Sequence, residues 1–359
     1  MAQAVTESPV TRLAGVTDLL PRRRADADLA GMPVHADLAS LLAAGVDAVY
    51  VATQTPTHAS VVRQVVATGT HVVCEKPLAP TVEEAETMAA EAAASGVVLL
   101  VGHTHSYDAP VRLLRECVLT GRLGRLLALS SVCYTDWLRR PRTADDLDAG
   151  LGNGLIFRQG GHQFDIARYV CGGAATRMSG WTVSAADGAL RGFAAVLDFA
   201  GGVRATTHYS GVGGFDTAHL TQGVGELGEE VPADDLTLRY FPRPSPRVGH
   251  APGFGLTTAT FDTGDAVLTS AGVLLYRGSR AHEVSGQGML SGWAAVLEEL
   301  VSAIDGTPTP HSGRWGAGTV EVCAGVYASD AARGPIDLSH QVPLPEGGTS
   351  RLSVEGEPE

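Results

Sequence analysis

Between Val10 and about Gly102, short apolar runs alternate with stretches whose apolar residues recur at helical spacing. The runs TRLAGVTD ending at Asp18, DAVYVAT (Asp47 to Thr53), HVVCEKP (His71 to Pro77) and VVLLVG (Val97 to Gly102) predict strands. Ala36 to Ala44, Thr57 to Thr68 and Thr81 to Ala94 predict helices, the last opened by a Thr81–Glu84 capping box. Alternation of this kind predicts a parallel sheet covered on both faces. After a helix over Ala109 to Leu119 the texture changes. Strands at Leu126 to Thr135, Ala175 to Ser184, Gly192 to Phe199 and Val203 to Ser210 follow one another with little helix between them, which predicts a mostly antiparallel open sheet. Gly211 to about Thr258 is rich in Gly, Pro and charge and reads as a long excursion. Helical patterns at Ser291 to Asp305 and Gly316 to Ala332 come next, and the tail from Gly347 is expected to be disordered. No internal repeat is visible.

Composition narrows the function classes. A chain of 359 residues with 44% apolar content can build two cores. Its net charge of −13 argues against nucleic acid as a partner, because that binding needs a basic face, and the run Arg22, Arg23, Arg24 is too short to supply one. Five scattered cysteines with no C-x-x-C pair predict reduced packing thiols in a cytosol. No run approaches ~18 apolar residues and the first residues lack a signal-peptide pattern, so a soluble cytoplasmic protein without a membrane partner is expected.

One residue stands apart: Lys76 is the sole lysine, in the string CEKP, while all 25 other basic positions are arginine. A lysine amine in a cleft can give up a proton and take it back, which a guanidinium does not do. By itself it could be a leftover surface residue in an arginine-biased chain. Its neighbours say otherwise. The loop VATQTPTHA and the CEKP segment both lie at carboxyl ends of predicted strands, where α/β sheets bind ligands, so Thr53, Thr55, Pro56, His58, Glu75, Lys76 and Pro77 are expected to line one crevice.

The T-x-T-P-x-H loop followed by E-K-P resembles the dinucleotide domain of the glucose-fructose oxidoreductase and inositol dehydrogenase superfamily. The resemblance implies that the proline turn lies along an NAD or NADP nucleotide, that Glu75 and Lys76 sit beside the nicotinamide ring, and that Lys76 contacts a substrate hydroxyl. In GGHQFD, His162 and Asp165 stand three apart, so a helix would put both on one face and the carboxylate would orient the imidazole. The superfamily has a comparable D-x-G-x-H-x-x-D helix, in which the histidine works with the lysine. Arg158 stands where that motif has its first aspartate, and it suggests a fork for a substrate carboxylate.

Further strings, GHTHSYDAP, YTDWLRRPR, GNGLIFRQGGHQFD and HSGRWG, look like the branch of bacterial 4,5-dihydroxyphthalate dehydrogenases. They gather His103, His105, His162 and His311 with Arg139, Arg140, Arg142, Arg158 and Trp315, a lining suited to an acidic ring that guanidinium groups would pair with and an indole would stack on. The H-T-H spacing of His103 and His105 also allows a metal held with His162 or His208, although no ligand framework supports it and no metal is expected. His35, His71 and His250 read as structural or exposed.

One superfamily feature is missing. A first strand and glycine-rich turn should precede the strand ending at Asp18, and no G-x-G-x-x-G occurs there, which should weaken the grip on a pyrophosphate. Asp18 keeps the position expected to meet the adenosine ribose. The first 18 residues read as the second half of a helix running into a strand, as if cut in mid-helix by a start placed too far downstream; a genuine loss is the alternative.

The fold expected is therefore α/β. A Rossmann-like parallel sheet without its first strand and glycine turn fills residues 1–105, an α+β substrate and oligomerisation domain with a mostly antiparallel open sheet fills 106–346, and a tail covers 347–359. The function expected is an NAD(P)-dependent oxidoreductase for a cyclic or aromatic-acid-derived alcohol, working as a homo-oligomer on a small carboxylate. A cofactor-free lyase in the same cleft and a non-catalytic ligand-binding homologue are the alternatives.

Overall fold

The structure, a computed structural model, describes residues 1–225, 228–231 and 253–345. Residues 2–43 hold three helices: α1 (Ala2–Glu7), α2 (Pro21–Leu29) and α3 (Leu38–Ala43). The strand expected to end at Asp18 is not formed. Val16 makes only an isolated parallel bridge to Val34. The parallel sheet has three strands in the order β1 (Ala48–Val51), β2 (His71–Cys74) and β3 (Leu99–Val101), with α4 (His58–Val66) and α5 (Val82–Ala94) as the crossovers.

Each crossover helix forms for a local reason. Val62, Val65 and Val66 give α4 one buried apolar stripe. Thr81 caps α5 by accepting from the Glu84 amide, without the return bond of a full capping box. After α6 (Ala109–Thr120) comes β4 (Leu126–Tyr134), then α7 (Ala144–Leu147), α8 (Gly161–Cys171), β5 (Ala175–Ser184), β6 (Leu190–Phe199) and β7 (Arg204–Ser210). The expected excursion is only partly described, since 226–227 and 232–252 lie outside the described residues, as do His250 and the tail.

Four strands that the sequence reading did not assign follow: β8 (Leu256–Phe261), β9 (Gly264–Leu268), β10 (Gly272–Arg277) and β11 (Arg280–Ser285). After α9 (Gly292–Ile304) and α10 (Gly313–Ala332), β12 (Ile336–Asp337) completes a nine-stranded sheet in the order β11-β10-β9-β8-β4-β7-β6-β5-β12. Every pairing is antiparallel except β4 with β7. That matches the mostly antiparallel expectation.

Helix α10 joins the two sheets, packing on α5 and β3 on one side and on β5 and α8 on the other. Glycines make this possible. A side chain at Gly316 would come within 2.4 Å of Val101, and one at Gly325 within 2.4 Å of Met178. Each interior glycine costs a helix about 1 kcal/mol relative to alanine, so the close approach must offset that loss. Among the described residues, no helix is long and apolar enough to cross a membrane. All five cysteines are free.

Candidate active site

The loops after β2 and β3 meet the start of α8, where Lys76 reaches the Arg158 carbonyl and His105 lies against His162, and His58 ties in the loop after β1. In the loop after β1, Thr53, Gln54 and Pro56 are exposed, whereas Thr55 is buried. His58 is buried too, which corrects the expectation that it faces a cofactor. Its Nδ1 lies 3.1 Å from the Pro77 carbonyl and its Nε2 lies 3.1 Å from that of Thr53, so the ring ties the first loop to the second.

In the second loop Tyr50 donates a hydrogen bond to the Glu75 carboxylate, which also accepts from the Lys76 amide at 3.1 Å. Glu75 is thereby fixed beside Lys76, and Tyr50 is a supporting residue that the sequence reading missed. The Lys76 ammonium donates to the backbone carbonyl of Arg158 at 2.6 Å. That carbonyl belongs to a π-helical turn, Ile156–Gly160, which leads directly into α8. Single π turns inside helices are frequent at functional sites.

His162, on the first turn of α8, is 8% exposed. Its ring lies edge-on to His105 at 4.7 Å and tilted against Phe254 at 4.8 Å, and its Nδ1 has no hydrogen-bond partner. Burial, followed by the nearby Lys76, His105, His103 and Arg158, pushes its pKa well below the ordinary imidazole value. The ring is therefore neutral at pH 7.

Asp165 does not orient His162, contrary to expectation. Its Oδ1 accepts the Trp315 indole N–H at 2.6 Å, and its Oδ2 lies 3.9 Å from His103 Nδ1. Burial works against the charged form, but His103, His311 and the indole bond outweigh it and hold the carboxyl below the usual range. His103 has no hydrogen-bond partner on either nitrogen, and burial takes it down to about 4 against the opposing pull of Asp165. It lines a small cavity with Lys76, Pro77, Phe157, Gly161 and Cys323.

Trp315 and His311 are corrections as well. Trp315 is fully buried, with the Arg168 guanidinium 3.9 Å over its ring, so it is closed to a substrate ring. His311 is buried between Ser106 at 2.8 Å and Glu299 at 3.0 Å and stacks on Tyr107 at 4.2 Å. Burial opposes its protonation, yet the Glu299 carboxylate raises its pKa overall. His105 is buried, with Nδ1 2.9 Å from Asp108. Among the described residues no three His, Cys, Asp or Glu side chains gather as metal ligands.

The arginines divide by partner. Arg140 pairs with Asp136 at 3.0 Å, Arg142 lies 4.1 Å over the Trp137 ring, and Arg139 donates to the Val212 carbonyl. The half-buried Arg158 makes no side-chain hydrogen bond or ion pair to the described residues, and it stands close enough to Arg142 and His162 to lower their pKa values. Asp18 accepts from the Leu20 amide at 2.8 Å and pairs with Arg23 at 3.4 Å. At the strand ends Thr53 and Pro56 are exposed and Glu75 and Lys76 half-buried, while Pro77 is buried. Among residues 1–46 there is no glycine turn to cradle a pyrophosphate.

Comparison with known proteins gives a consistent picture. Residues 1–103 match a family model described as an oxidoreductase family with an NAD-binding Rossmann fold, and residues 111–226 match the model of a GFO/IDH/MocA C-terminal domain. The 1-carboxy-3-chloro-3,4-dihydroxycyclohexa-1,5-diene dehydrogenase of Comamonas testosteroni is 30% identical over 341 residues, covering 86% of this chain and 85% of its own. A solved structure from Bordetella bronchiseptica RB50, assigned as a dehydrogenase, superposes with a TM-score of 0.86 at 30% identity, over 94% of this chain and 95% of that one. An oxidoreductase from Agrobacterium radiobacter, solved with NAD+, L-tartaric acid and magnesium, shares the fold at TM-score 0.70 and 18% identity, over 94% of each chain.

Proposed function

The chain belongs to the GFO/IDH/MocA family of NAD-binding oxidoreductases, and from that membership we propose that it oxidises a ring hydroxyl of a cyclic alcohol that bears a carboxylate. The observation that carries this reading is the meeting of Lys76, a neutral His162 and the Arg158 guanidinium at the strand ends. Bound NAD or NADP supplies the hydride acceptor. The remaining work falls to the chain.

Lys76, held by the Arg158 carbonyl, would direct its ammonium at the substrate oxygen. His162 takes the hydroxyl proton while the carbon loses hydride, so the C–O bond becomes a carbonyl. For a dihydrodiol, loss of hydride and proton leads to a catechol. Arg158 pairs with the carboxylate through two parallel N–H donors. The name of the Comamonas relative, a carboxylated dihydroxycyclohexadiene dehydrogenase, supports a substrate of this class. Thr53, Pro56, Glu75 and Pro77 would receive the nicotinamide end of the cofactor and Asp18 its adenosine ribose.

We further assign residues 1–105 to the dinucleotide domain and 106–346 to a substrate and assembly domain, and we place the protein in the cytoplasm, consistent with five free cysteines. The outward face of the nine-stranded sheet carries Thr206, Trp181 and Tyr276, with Trp181 47% exposed, and supports pairing with a second copy. Trp181→Arg should then lower the oligomeric mass measured by light scattering.

The decisive measurement is reduction of NAD+ or NADP+ by a cis-dihydrodiol carboxylate, alongside nucleotide binding followed by fluorescence. Release of carbon dioxide from a dihydroxyphthalate without any nucleotide would overturn the redox reading in favour of a lyase.

A further inference from the structure

Three consecutive residues, Gly253, Phe254 and Gly255, have left-handed backbone, with φ of 74°, 56° and 106°. For a bulky residue such as phenylalanine this is a strained conformation that persists only where the surroundings impose it. The surroundings here are tight. A side chain at Gly253 would come within 2.6 Å of Leu268, and one at Gly255 within 2.5 Å of the Val132 carbonyl, so only glycine fits on either side.

The constrained turn delivers one group to one place. Phe254 is 2% exposed, and its ring lies 4.8 Å from that of His162 and 4.9 Å from that of His105. Behind it, Tyr209 stacks at 6.2 Å and continues to Phe193 at 5.9 Å, a column that keeps the phenyl from retreating. His162 is thus held between an imidazole edge and a phenyl ring.

We propose that Phe254 is a positioning residue for proton transfer, pressing the His162 imidazole against His105 and excluding water from that side of the ring. The proposal rests on the reading of His162 as the proton acceptor. The charged and titratable groups facing His162 are Lys76 from the loop after β2, His103 and His105 from the segment after β3, and Arg158 from the turn before α8. All four disfavour its protonated form. Phe254 adds an apolar wall to the same effect.

The test follows the His162 ring by NMR between pH 5 and 8, using a His162→Gln variant for assignment, with steady-state kinetics in parallel. In the parent protein the ring should not titrate within that window. In Phe254→Ala, with a thermal melt showing a folded protein, it should titrate inside the window, and kcat should fall about tenfold with KM changed less than about threefold. Phe254→Leu, which keeps apolar bulk and the same backbone constraint, should show a smaller change in the same direction and serves if the alanine variant does not fold. An unchanged His162 titration in a folded variant overturns the proposal. If His162→Gln retains full turnover, the proton-acceptor role fails instead, and the NMR result still decides whether Phe254 controls the ring.

Discussion

The Lys76 ammonium lies 2.6 Å from the backbone carbonyl of Arg158, so the chain's one lysine reaches from the end of β2 to the turn that begins α8. The bond holds the amine from the parallel sheet against the element that carries His162. It also separates the two parts of position 158, because the main chain holds Lys76 while the side chain makes no hydrogen bond or ion pair to the described residues.

The first prediction concerns the amine. Lys76→Met should reduce kcat by about 10²- to 10³-fold, the usual worth of one donor aimed at an oxygen on which charge develops. Lys76→Arg should not restore it, since a planar guanidinium is too large for the Arg158 carbonyl contact. Steady-state kinetics at pH 7 to 9 checks both. A Lys76→Arg enzyme within tenfold of the parent would mean that charge alone suffices.

The Arg158 side chain should act on binding. Arg158→Gln keeps the backbone carbonyl, so Lys76 remains anchored, but it removes the bidentate partner of the carboxylate. KM for an acidic substrate should rise about 10- to 100-fold, as expected for a lost charge-assisted hydrogen bond worth about 1.5–3 kcal/mol. The methyl ester of that substrate should bind parent and variant alike. Equal sensitivity of acid and ester would place the carboxylate elsewhere.

The legible parts of this site were those set by chain geometry. Strand ends converge in any α/β sheet, so Glu75, Lys76 and the Thr53 loop could be placed together from sequence. The partner of Asp165 could not. Spacing of three put it on the face of His162, but Trp315, 150 positions away, takes its oxygen. Polar and aromatic side chains suit an acidic ring, so sequence alone places His311 and Trp315 in the lining; in the fold they satisfy Glu299 and Asp165 instead. Leu256 to Ser285 escaped notice as strands because Thr258, Thr260 and Asp265 interrupt the apolar pattern on the outward face. The run ending at Asp18 has strand-like residues, but only Val34 bridges to it. Phe254 did leave a trace, a phenylalanine between two glycines, which signals left-handed backbone.

Asp165 offers a test of its corrected role. Asp165→Ala leaves the buried Trp315 N–H unsatisfied and should lower unfolding free energy by about 1–3 kcal/mol. Asp165→Asn keeps an acceptor for the indole and should recover most of that loss, with kcat reduced less than tenfold. Denaturant titration and turnover together separate the outcomes. A hundredfold drop in kcat for a stable Asp165→Asn enzyme would restore the carboxylate to the catalytic histidine.

Stability should fall in mild acid, and the sign follows from three depressed histidines, His103, His162 and His208. His103, down to about 4 in the fold, His162, well below its ordinary value, and His208, lowered by burial, all protonate near 6.5 once the chain unfolds. Between about pH 6.5 and 4 the unfolded chain therefore binds more protons, and unfolding free energy decreases as pH drops through that window. His311 opposes this, because its raised pKa contributes stability below 6.5 that is lost as pH rises through its folded value. Asp165, depressed below the usual carboxylate range, contributes stability lost only at lower pH. His103→Gln removes one of the three groups that drive the decline. Its urea midpoint should change less steeply between pH 6.5 and 4.5 than that of the parent protein, and parallel curves would show that His103 binds its proton equally well folded and unfolded.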